Sequence, residues 1–346
     1  MSSKRASWPR RLRTALPYLL AVGVVIALVL AVNPGRFADA AERFDPSFAP
    51  LIALLCLAYY VLQGVRWQPL LLAIGARIRL RDTVILNLAG QSAGLLPGGE
   101  LARAVLVSEV AGVQVGGAIA TITVQELIYT VLIIAAAVPG SLHHTIAAVG
   151  IGVALAGVLT VTAILTVEPV FDRVVALVRH LPLLKRIEPD LVELQRDTVV
   201  LLRRWDTLYW SGISAVQAVG TITMFWLVIQ AVYPGHVSWP VAAFAYAVAS
   251  VAGVLSLGPG GLGGFEAAGV GMLVVVGVPF QVAVAATVLQ RVADKGLGTL
   301  YGSVAYFYAR AHYRLKQARV TRHGQRRGRR PPQHKAASRQ RAASRR

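Results

Sequence analysis

Charge is what this sequence has little of. Only 15% of its 346 residues are Asp, Glu, Lys or Arg, while 55% are hydrophobic. A soluble domain of that length exposes far more charge, so the composition excludes one and points to an integral membrane protein. Between Glu109 and Glu168 the single charged residue is Glu126, and between Asp206 and Arg291 it is Glu266. Cysteine is nearly absent as well. Cys56 stands alone, which excludes an internal disulfide, and its apolar neighbours read as the setting of a small core residue. Acid is missing from both ends. Residues 1–14 carry five Lys/Arg and residues 310–346 carry fourteen, with no Asp or Glu in either stretch. The formal net charge of +19 therefore lies in the tails, and the sixteen basic residues left in the body balance its sixteen acids. Tails of this kind are expected in the cytoplasm, held by an anionic lipid surface at roughly 1 kcal/mol per basic residue. The C-terminal run has one aromatic, Tyr313, and no folded context, so no nucleic-acid partner is expected.

Enzyme signatures are missing too. No Gly-x-Ser-x-Gly, phosphate-binding loop or zinc pattern occurs. Gly258-x-Gly260-x-x-Gly263 spells a dinucleotide fingerprint but lacks the strand–turn–helix context that gives it meaning. His143-His144 has no Cys, Asp or Glu nearby to complete a metal site. The reading expects no cofactor, no metal and no catalytic group.

What is present is apolar sequence in lengths that suit a bilayer. Residues 16–32 follow the basic head. A cleaved signal peptide is the rival reading, but the run exceeds the ~7–15 residues usual there, which favours an uncleaved first span. Further spans are expected at about 47–65, 115–138, 146–167, 207–232 and 296–310, each near the ~20 residues a crossing helix needs, the last one short. The segment 66–82 holds four arginines, whereas the loops around His143 and Tyr233 hold no Lys or Arg. That asymmetry puts both termini in the cytoplasm of a cell-membrane protein. Residues 168–206, with seven basic and seven acidic residues, read as an amphipathic helix pair at the interface. Gly112 and Gly116 read as marks of close helix packing. The tyrosines and tryptophans read as interface anchors, or as core where they fall in mid-span.

Two apolar segments break in the middle. Residues 83–110 break at Pro97-Gly98-Gly99, and 241–277 at "GPGGLGG", residues 258–264. Neither half of either segment is long enough to cross, so both read as re-entrant hairpins. The alternation of loops makes them enter from opposite sides, the pattern of an inverted repeat. The expected fold is all-α and polytopic: about six spanning helices plus two hairpins, in a domain over 15–310 between tails at 1–14 and 311–346.

A charge at the bilayer centre costs about 2.5–3.5 kcal/mol, so isolated ones mark a function or a buried pair. The set is Glu100, Arg103, Glu126, Glu266, Arg291, Asp294 and Lys295. Pairing as helix–helix glue is one account, with Arg291 and Asp294, three apart, as a local pair. Pairing alone leaves unexplained why Glu100 and Glu266 follow glycine breaks. A broken helix frees backbone groups that must line a cavity. A half-helix starting near Gly99 or Gly264 aims its positive end there and suits a phosphate. Candidate ligand contacts are therefore Glu100, Arg103, Glu126, Glu266, Arg291, Gly98, Gly99, Gly260 and Gly261. The expected ligand is an anionic or aminoacylated membrane phospholipid, bound and translocated. A membrane-embedded transferase on a lipid-linked substrate and a non-transporting envelope scaffold are the alternatives.

Arg66-Trp67, then "LLPGGELAR", "GPGGLGGFEAA" and "VLQRV", resemble the lysylphosphatidylglycerol synthase transmembrane family over residues 15–310. The resemblance implies a flippase-like domain with two re-entrant hairpins around a central cavity. Glu100, Arg103, Glu266 and Arg291 match its motif positions. Where the family commonly has a Glu-Arg pair, Glu126 is followed here by Leu127. A basic tail follows Arg310 where a soluble lysyl-transferring domain would stand, so a stand-alone member is expected.

Overall fold

The computed structural model describes residues 42–94, 99–141, 145–179, 188–210, 212–255 and 263–313, together with residues 35 and 39. The N-terminal tail, the C-terminal tail beyond Tyr313, the expected span at 16–32, His143-His144, Gly98, Gly260 and Gly261 lie outside these. The described residues are mostly helical, joined by short turns, and no strand occurs among them. A 3-10 turn at Pro46–Phe48 leads into α1 (Ala49–Ala73), followed by α2 (Leu80–Gly90), α3 (Ala102–Ala111), α4 (Val115–Ser141) and α5 (Thr145–Thr166). Then come α6 (Glu168–Arg179), α7 (Glu188–Leu202), α8 (Trp205–Trp210), α9 (Gly212–Val232), α10 (Trp239–Leu255), α11 (Gly264–Val275), α12 (Phe280–Arg291) and α13 (Leu297–His312). Among the described residues, four stretches are long and apolar enough to cross a membrane: Pro46–Ala73, Val115–Gly140, Val149–Thr166 and Trp205–Val232. α4, α5 and α9 have no polar stripe, as helices surrounded by protein and lipid on all sides require.

The two broken segments fold as hairpins. α2 packs back on α3, and α10 on α11. Their mouths lie at opposite ends of α4. The first hairpin closes through a turn at Gly112, whose φ of 70° makes it a left-handed helix cap, directly before α4 begins. A Cβ on Gly112 would meet nothing, so its role is conformational and not the close packing expected for it. The second hairpin opens at the far end of α4, where Gly140 lies so close to the Pro240 carbonyl that no side chain fits between them. α1 and α9 run antiparallel: the Asp45 amide donates to the Ala231 carbonyl at 2.9 Å, and Gln217 donates to the Tyr59 carbonyl at 3.1 Å. The unit α1–α4 is thus repeated upside down by α9–α13. The packing obeys the same symmetry, α2 lying on α13 from the other unit and α10 lying on α4.

The last span begins well before residue 296. α12 and α13 are joined by a π turn, Val292–Gly296, whose flanking residues keep right-handed helical angles. One helix therefore runs unbroken from Phe280, at the second hairpin's mouth, to His312 at the first. Tyr313 donates to Asp82 at 2.6 Å there, and Arg81 donates to Tyr308 at 2.6 Å. Burial, and then the Asp82 contact, push the Tyr313 hydroxyl above its ordinary pKa. The charges Arg291, Asp294 and Lys295 look like the edge of a span in sequence, yet they sit at its middle.

α1 likewise continues past its expected end at 65, so Arg66 is a buried helix residue and not a loop charge. Tyr60 and Trp67 are core residues too. In the expected amphipathic pair, α6 turns Phe171 and Val175 inward, and α7 packs along α4 with Thr198 and Leu201 buried.

Candidate functional site

A cavity of about 400 Å³ lies between the described inner ends of the two hairpins. Gly99, Leu101 and Arg103 reach it from the first hairpin, and Gly253, Val254 and Phe265 from the second. α1 contributes Tyr59, Tyr60 and Gln63, and α4 contributes Glu126 and Tyr129. The π turn and the residue before it bring Arg291, Asp294 and Lys295. Polar and charged groups thus converge inside an apolar bundle, from positions as far apart in sequence as Tyr59 on α1 and Lys295 in the π turn.

Arg103 enters this space because α2 is bare opposite it. A Cβ on Gly90 would stand 2.5 Å from the Arg103 Cβ and 2.8 Å from its Cα, so only glycine lets α2 and α3 cross here. The guanidinium is 2% exposed and donates through Nη2 to Glu126 at 2.9 Å and through Nη1 to the Asn87 carbonyl oxygen Oδ1 at 3.1 Å. It lies over the Trp67 ring, 5.5 Å from the centroid. A network holds these partners in turn. Asn87 donates to the Tyr60 carbonyl at 2.8 Å and to Gln63 at 3.1 Å, while Gln63 donates to Glu126 at 3.3 Å. Gln125 donates to the Gln63 carbonyl at 2.8 Å. Arg66 donates to the Gln125 carbonyl at 2.5 Å and to the Ser214 hydroxyl, which ties the first unit to α9. Glu126 is the member that water in the cavity can reach, its side chain being 39% exposed.

The second hairpin repeats the arrangement with the signs exchanged. Glu266 accepts from Arg291 Nε at 2.6 Å through Oε1 and from the Gly263 amide at 2.7 Å through Oε2. Arg291 lies 4.2 Å over the Phe265 ring. In each unit one Arg–Glu pair ties the returning half-helix to the next long helix; the cation–aromatic contact joins the same two helices in the second unit and reaches back to Trp67 on α1 in the first. The hairpin carries the arginine in the first unit and the glutamate in the second.

Two sequence expectations change on this geometry. Arg291 pairs across to α11, while Asp294 accepts from the Tyr60 hydroxyl at 3.0 Å, so the local Arg291–Asp294 pair is replaced by two contacts between helices. The π turn also frees the Asp294 carbonyl, which accepts from Tyr60 at 3.3 Å. Finally, the start of α11 is not an open anion site, because Glu266 already caps it with its own carboxylate. Of the candidate residues, the structure brings Gly99, Arg103, Glu126 and Arg291 to one cavity, with Glu266 bound to Arg291 behind it. Glu100 lies in the 3-10 turn Gly99–Leu101; its side chain, with Gly98, Gly260 and Gly261, lies outside the described residues. Gln63, Arg66, Asn87 and Gln125 were not singled out as site residues. Their signal was a polar residue inside an apolar helical run.

The family model for the lysylphosphatidylglycerol synthase TM region matches residues 16–302. The chain belongs to that family. Among curated proteins none matches it. The family match takes in both hairpins, both ion pairs and the π turn, and it ends within α13. Membership makes the chain a multi-pass membrane protein related to lipid handling.

Proposed function

We propose that the chain binds the headgroup of an anionic or aminoacylated phospholipid in the central cavity and translocates it across the cell membrane. One observation carries the reading: the inner ends of both hairpins, with Arg103, Glu126 and Arg291 of the two Arg–Glu pairs, line one cavity of about 400 Å³, within the ~300–1,000 Å³ usual for ligand sites. A guanidinium offers a planar fork that grips phosphate with two bonds. Arg103 and Arg291 supply two such groups, and Glu126 and Asp294 supply acceptors for an ammonium. A headgroup entering the cavity competes with the internal pairs, weakening the tie between a hairpin and its long helix. Because the two ties belong to opposite units, a ligand that loosens one more than the other favours one of two arrangements of the inverted repeat. Both termini lie in the cytoplasm on this reading, their basic tails against anionic lipid.

The test has two arms. Lipids retained by the purified protein are identified by mass spectrometry, and flipping of a labelled phospholipid is followed in liposomes. A headgroup-selected lipid is expected, with flipping lost in Glu126→Gln while expression persists. An unselected lipid mixture together with wild-type flipping in that variant would sink the proposal.

A further inference from the structure

Behind the Glu266–Arg291 pair lies a second space. α11 and α12 diverge along their outer faces and leave a groove of about 530 Å³, walled by Val270, Val274, Phe280, Val284 and Val288. Its one charged lining residue among those described is Glu266, at the inner end. Arg291, the partner of Glu266 at 2.6 Å, lines the central cavity. A single ion pair therefore links the charged lining of the cavity to the apolar groove. From there the groove follows the two helices towards Phe280 and the mouth of the second hairpin. Val274 and Phe280 are exposed along it. Gly271 opens the groove further, since a Cβ added there would meet nothing within 4 Å.

We infer that this groove is an acyl-chain subsite, which holds one tail of the phospholipid whose headgroup occupies the cavity. The assignment rests on the proposed function above for its headgroup and adds where the tail goes. A phospholipid in transit carries a charged end and an apolar end, joined by a few bonds. The two spaces have those two chemistries and abut at one pair of side chains, so a lipid straddling Glu266–Arg291 satisfies both. Neither this groove nor the other apolar depression, among Leu57, Ile85, Leu88, Tyr301, Val304, Ala305 and Tyr308, shares a lining residue with the cavity; the groove is set apart by Glu266, whose ion-pair partner Arg291 lines the cavity. An apolar channel lined by branched aliphatic side chains takes a hydrocarbon tail without requiring a particular chain length or unsaturation. Selection among lipids therefore falls to the headgroup.

The experiment uses the full chain in nanodiscs containing a phosphatidylglycerol with a diazirine on one acyl chain. After illumination, labelled peptides are mapped. Labelling concentrated on residues 264–288 is expected, falling about tenfold in Gly271→Leu, which fills the groove, and little in Gly271→Ala. Val288→Phe narrows the groove from the opposite wall and is expected to act as Gly271→Leu does, which keeps the test valid if one variant fails to fold. Labelling spread evenly over the lipid-facing helices would overturn the subsite. Efficient disulfide crosslinking of a cysteine at Val274 to one placed in 16–32 would do the same, because the groove would then be covered by this chain's own segment. Lipid retention is measured on the same samples to separate the two claims. Selective retention without groove labelling removes the subsite and leaves the headgroup reading standing. Groove labelling with unselected retention keeps the tail site and removes the headgroup reading.

Discussion

Arg103 shows how a charge is kept inside an apolar bundle. Its guanidinium is almost wholly buried and is neutralised by one carboxylate, Glu126, with Asn87 and Trp67 completing its surroundings. Removing one partner of such a pair costs more than the pair contributes, because the remaining charge stays buried and unmatched. Glu126→Ala should therefore destabilise the protein by about 3 kcal/mol, the low end for buried pairs because cavity water reaches the carboxylate. Arg103→Ala/Glu126→Ala should recover most of that loss, with Tm in detergent as the measurement. Equal Tm for the single and double variants would show that the charges do not interact. The arginines and glutamates of this site were legible in the sequence because they interrupt long uncharged runs. Their pairing was not, since Arg291 and Asp294 are neighbours along one helix while Arg291 and Glu266 are brought together only by the hairpin.

At the scale of the element, the hairpins could be read from proline and glycine, since a helix that breaks inside a membrane must do so where backbone groups can face a cavity. The glycine that matters most for the site was not conspicuous. Gly90 ends α2 without a turn signal, and its role is the absence of a side chain against Arg103. Gly90→Ala should push α3 outward and cost about 1–3 kcal/mol as an overpacked contact, lowering Tm and flipping together. A wild-type Tm would show that α2 can shift freely. The π turn was illegible for a different reason: one extra residue in a helical turn leaves no compositional mark. Deleting Val292, a half-exposed residue of that turn, should restore a regular helix and rotate Asp294 away from Tyr60. The expected result is a folded protein that no longer flips lipid, and retained flipping would assign the turn no role.

For the whole molecule, the inverted repeat follows from charge-poor spans, two broken segments and the placement of arginine in the loops. Reporter fusions at the two ends should both read as cytoplasmic, and an active external reporter at the C-terminus would overturn the orientation. What sequence could not convey is that the repeat is faithful in shape and reversed in sign. The first hairpin carries Arg103 and enters from one side; the second carries Glu266 and enters from the other. If the hairpins shift in opposite directions as the two units exchange roles, a positive charge moving one way and a negative charge moving the other are the same electric current. Had both hairpins carried the same sign, the two displacements would cancel. The molecule is thus wired to feel the membrane potential, which does work of about 2.3 kcal/mol per elementary charge carried fully across 100 mV. Flipping rates in liposomes should accordingly depend on an imposed potassium diffusion potential. The dependence should weaken in Glu266→Arg/Arg291→Glu, which gives both hairpins the same sign and leaves only the charge of the lipid itself for the voltage to act on.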